Sequence, residues 1–102
     1  HETGYDDYDK LIFSVMMTAQ DRYPQAKQMI IRMFEQLITM FAADLKDAYP
    51  QADDARCRDV AYNVLALAMS NESLMDLGMN QRYSTTARLS AELLIRALEI
   101  PG

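Results

Sequence analysis

The residues on which enzyme chemistry most often depends are nearly missing from this chain. It has one histidine, His1, and one cysteine, Cys57. A histidine-ligated metal site and a histidine-based triad are excluded by count. A single thiol forms no intrachain disulfide. Cys57 reads as a small buried residue, because free cysteine is among the most buried types. Glycine occurs only at positions 4, 78 and 102, so no glycine-rich phosphate loop can form. No Glu-x-x-His pattern exists. No apolar run approaches the ~18 residues of a membrane span, and no basic start followed by an apolar stretch marks a signal peptide. Positive charge is scarce, with 10 basic residues against 15 acidic ones and a net charge of −5. Such a chain repels phosphate, which argues against a direct grip on DNA or RNA. The carboxylates cluster at Asp6, Asp7 and Asp9 and at Asp53, Asp54 and Asp59. Complementation of helix dipoles accounts for both groups. The expectation is a cytoplasmic protein with no catalytic residue, no metal and no cofactor. The chain starts on His1 and reads as a fragment or a processed piece of a longer protein.

Half of the residues are hydrophobic and a quarter are charged, an ordinary globular composition. Residues 1–5 read as a flexible tail and 6–102 as a single helical domain. The three prolines (Pro24, Pro50, Pro101) and the three glycines all fall where the apolar periodicity breaks. No alternating strand pattern of useful length occurs. The fold class expected is all-α, with four long antiparallel helices. The first runs from about Asp7 to Arg22, with Leu11, Ile12, Val15, Met16 and Ala19 at helical spacing. The second runs from Pro24 to Ala48, about 37 Å long at 1.5 Å per residue. The third runs from Asp53 to Leu77 and stops at Gly78. The fourth runs from Asn80 or Gln81 to Glu99.

The apolar faces are wider than one bundle needs. Two seams side by side cover about 200° of the second helix, against the ~100° stripe of a helix with one neighbour. On the fourth helix Tyr83, Ala87, Ser90, Leu94 and Leu98 make one seam, and Leu89, Leu93 and Ile100 make another. A second copy of the chain is the simplest cover, since most soluble oligomers are symmetric homodimers. Pairing the last two helices with their two-fold mates makes an intermolecular four-helix bundle. Small residues at Ala61, Val64 and Ala68, with Ala87, Ser90 and Leu94, mark the expected seam; the alternative is a tight monomer core. The first two helices are rich in methionine and phenylalanine, which fits either a ligand pocket or an ordinary Met-rich core.

The stretch "NVLALAMSNESL" (63–74) shows the change of character within one helix. It is apolar from Val64 to Met69 and then polar from Ser70 to Ser73. The polar part is expected where the helix leaves its seam, bends, or borders a wet cavity.

Three stretches resemble the C-terminal half of TetR/AcrR-family transcriptional repressors. "RYPQAKQMIIRMFEQLITMFAADLKDAYPQ" is similar to that family's long central regulatory helix. "DDARCRDVAYNVLALAMSNESLMDLG" is similar to its penultimate helix, and "ARLSAELLIRALEIPG" to its last. The likeness spans about residues 10–100. Ser70 and Asn71 stand where the family often has glycine, and the family's N-terminal helix-turn-helix is absent from this chain. The resemblance implies an effector-sensing and dimerisation domain of a bacterial one-component repressor. Its partners would be a second copy of itself, a small lipophilic effector, and DNA only through the missing N-terminal domain, with no membrane. The pocket lining it suggests is Phe13, Met16, Met33, Phe34, Phe41, Tyr62 and Met69. The alternative is a stand-alone helical interaction and dimerisation module without a ligand.

Overall fold

In the computed structural model the described residues are 10–12, 14, 15, 18 and 23–101, and every regular element among them is helical. No strand occurs among them, so the chain is all-α over these residues. Residues 10–12, 14, 15 and 18 are helical, inside the span expected for the first helix. None of its described helices is long and apolar enough to cross a membrane. The single domain expected over 6–102 divides into two compact units, His1–Gln36 and Leu37–Gly102.

Helix α1 (Pro24–Ala48) has the bounds that the punctuation predicts. Pro24 occupies the first turn, where a missing N–H costs nothing. The Tyr23 carbonyl accepts from the N–H groups of Ala26 (2.9 Å) and Lys27 (3.3 Å), starting the helix. After α1 the chain turns sharply. The Ala52 N–H donates to the Tyr49 carbonyl at 3.0 Å, with Pro50 at the second turn position that its fixed φ suits. Lys46 Nζ donates to the Ala52 carbonyl at 2.6 Å and lies 3.5 Å from Asp54 Oδ1, which ties the end of α1 to the start of the next helix.

Helix α2 (Asp54–Asp76) begins at the predicted cap: Asp53 Oδ1 accepts from the Arg56 N–H at 2.7 Å. It runs unbroken through Ser70–Ser73. Its end is a Schellman closure. The Gly78 N–H reaches the Met75 carbonyl (3.0 Å) and the Met79 N–H reaches Leu74 (3.1 Å). Gly78 supplies the positive φ this closure needs, at 96°. Helix α3 (Arg82–Arg96) starts from Asn80, whose Oδ1 accepts from the Arg82 N–H at 2.9 Å. It tightens into a 3₁₀ turn over Ala97–Glu99, so the regular helix ends three residues before Glu99.

The core of the Leu37–Gly102 unit is small. Ile38 and Leu45 from α1, Ala52 from the turn, Cys57 and Ala61 from α2, and Leu98 form its buried cluster. Phe41, Ala42, Tyr49, Val60, Leu65 and Ile95 pack against it. Two arginines cross-link it. Arg58 donates to Thr39 Oγ1 at 3.0 Å, joining α2 to α1. Arg56 donates to the carbonyls of Ala97 (2.6 Å) and Ile100 (2.7 Å), where a cation complements the negative end of a helix.

One expectation changes here. Ala61, expected in the intermolecular seam, is fully buried (0%) in the chain's own core beside Cys57. An alanine lets a neighbouring helix approach closely, and the neighbour it admits is within the same chain. Leu98, read in one seam with Tyr83, Ala87, Ser90 and Leu94, is likewise buried in this core, at 3% exposed.

Candidate functional site: the groove between the last two helices

Near their connecting turn, α2 and α3 part to leave an open groove of about 380 Å³. Helix α2 lines it with Val64, Leu67, Ala68, Asn71 and Glu72. Gln81, Ser84, Thr85, Ala87, Arg88 and Ala91 line it from α3 and the residue preceding it. The cause is local. Alanines at 68, 87 and 91 hold little volume, so two helices joined by a short turn do not fill the space between them. A polar bond spans it: Asn71 Nδ2 donates to Ser84 Oγ at 3.1 Å. Gln81 makes no capping bond through its side chain.

The groove explains the polar part of "NVLALAMSNESL". Val64, Leu67 and Ala68 face it from the apolar half, and Asn71 and Glu72 from the polar half. Of the three outcomes expected there (leaving a seam, bending, or bordering a wet cavity), the stretch stays within a continuous helix and borders a groove.

The opposite side of α3 is different. Leu89 and Leu93 each stand about 160° round the helix from Ala91, and Leu89 follows Thr85 of the groove's edge by one turn. They are 52% and 66% exposed. Arg82 and Arg96 lie at compatible spacings on the same side. These two leucines belong to the second seam read from the sequence, whose third member, Ile100, is 64% exposed.

No family model, curated protein or solved structure matches this chain. The site therefore stands on its own geometry.

The candidate residues fall in several places. Val64, Ala68 and Ala87 of the expected dimer seam line the groove. Ser90 is exposed and Leu94 half-buried on α3. Of the expected pocket residues, Phe13 and Met16 lie outside the described residues. Met33 and Phe34 are half-buried on the part of α1 within His1–Gln36. Phe41 packs against the core cluster, Tyr62 is 57% exposed, and Met69 is half-buried. Phe41, Tyr62 and Met69 are not among the groove's lining residues. The groove's polar side, Gln81, Ser84, Thr85 and Arg88, was not singled out by sequence reasoning. Its signal was present: those four recur at steps of three, one and three, a polar face on a helix whose far side is leucine. Among the described residues no group of three or more His, Cys, Asp or Glu side chains could hold a metal ion.

Proposed function

We propose that this chain is the effector-sensing and dimerisation domain of a bacterial one-component transcriptional repressor, cytoplasmic and similar to the TetR/AcrR regulators. DNA would be read by a helix-turn-helix carried outside these residues. One observation supports the reading above others: α3 has two working faces. One lines the groove, and the other displays Leu89 and Leu93 to solvent. Contiguous exposed apolar surface on a helix marks an interaction site. A second copy of the chain suits it, because α3 then pairs with its own two-fold mate in an intermolecular four-helix bundle. A small molecule in the groove sets the separation of α2 from α3 and acts on the dimer through the same helix. Thermodynamically it biases a two-state equilibrium through its differential affinity for the two states.

Sedimentation equilibrium tests the dimer. The wild-type chain is expected to be dimeric, and Leu93→Glu monomeric, because an unpaired buried charge costs several kcal/mol. A wild-type chain that stays monomeric at high concentration would refute this half of the reading. The gene's reading frame tests the other half: a basic helix-turn-helix encoded upstream supports a regulator, and an upstream region without one removes it.

The alternative, a helical dimerisation module without a ligand, is favoured by the placement of Phe41 on the core and of Tyr62 in solvent. The two readings part on whether any small molecule binds the groove.

A further inference from the structure

We infer that the α2–α3 groove takes a neutral amphipathic small molecule, with an aliphatic body and an uncharged hydrogen-bonding head. This rests on the reading of the groove as the effector site and narrows the chemistry of the small lipophilic effector that the family resemblance implies.

The lining divides into two kinds of surface. Val64, Leu67 and three alanines (68, 87 and 91) offer only alkyl groups. They suit a chain or a flat apolar body, which gains by leaving water. The amides of Asn71 and Gln81 and the hydroxyls of Ser84 and Thr85 offer donors and acceptors together. An alcohol or amide head exchanges its water bonds for these. The charges in the lining are one of each sign, Glu72 and Arg88, and they sum to zero. A carboxylate head and an ammonium head each find one charge of the opposite sign and one of their own along the lining. Either one gives up hydration with no net counter-charge in return. A neutral head carries no such penalty. At about 380 Å³ the groove holds a molecule of drug-like size.

Methyl-detected NMR titration of the full chain tests this with three probes sharing one alkyl chain: octyl glucoside below its micelle concentration, nonanoate and octylammonium. Octyl glucoside is expected to shift the Ala68, Ala87 and Ala91 methyl signals and to bind about tenfold tighter than either charged probe. Thr85→Val, at an exposed position that leaves the fold intact, is expected to weaken octyl glucoside severalfold and leave the charged probes unchanged. Ala91→Met, which fills the groove, is expected to weaken all three. A charged probe that binds the groove as tightly as the glucoside overturns the neutral class and leaves the effector-site reading standing. Absence of groove shifts with all three probes, or shifts indifferent to both substitutions, overturns the effector-site reading and this inference with it.

Discussion

The two parts of α2 differ in composition and in surroundings. The first half, Asp54–Ala61, is capped by Asp53, bonded through Arg56 and Arg58, and buried at Cys57 and Ala61. The second half, Val64–Asp76, holds no fully buried residue and lines an open groove, across which Asn71 bonds Ser84. One continuous helix thus carries a fixed end and a loosely packed end. Local stability follows buried apolar contact and satisfied cross-links, so the two ends should open at different free energies. A ligand or a partner has most to gain at the loose end.

Four substitutions separate the halves, from the largest effect to the smallest. Leu45→Ala removes a buried side chain packed with Cys57 and Ala61. It is expected to cost about 2–5 kcal/mol in urea unfolding. The comparison variant Val64→Ala, in the groove, should cost about 1 kcal/mol or less. Equal losses would mean that the halves are equally packed. Arg56→Ala deletes two hydrogen bonds from a half-buried cation, about 1–2 kcal/mol in all. Amide exchange should then quicken over residues 97–100 while the Asn71 region keeps its rate. Gly78→Ala meets no neighbour within 4 Å, so only the backbone resists it. With φ at 96° the cost is about 1 kcal/mol, read as a fall of a few degrees in thermal midpoint. Unchanged stability there would show that the Schellman closure adds nothing to the loose end.

Much of the fold was legible because it is written in punctuation. Pro24, Asp53 and Gly78 each act through backbone chemistry that needs no tertiary information, and α1 and α2 start and stop at or within a residue of where those signals place them. The end of α3 was less legible. Its last turn tightens into a 3₁₀ turn held by Arg56, which lies 41 positions from Ala97. Which small residues meet their own chain and which meet the groove was not legible at all. Ala61 and Ala68 are seven residues apart on one stripe, yet the first is core and the second lines the groove. The difference lies in where Ile38, Leu45 and Leu98 cover α2, and periodicity does not encode that. The groove itself escaped notice because its polar wall looks like a solvated helix face until a second helix is placed opposite.

The Arg56 bridge has a consequence for how the hairpin can move. The turn at Gly78 joins α2 and α3 at one end, and Arg56 joins the start of α2 to the end of α3 at the other. The pair is tied at both ends, which resists its members swinging apart like the blades of scissors. Rotation of α3 about its own long axis is the motion that would couple its two sides. Rolling turns Arg88 and Ala91 on one side and Leu89 and Leu93 on the other through the same angle in the same instant. The helix is then a camshaft: whatever turns its groove side sets the bearing of its outer side.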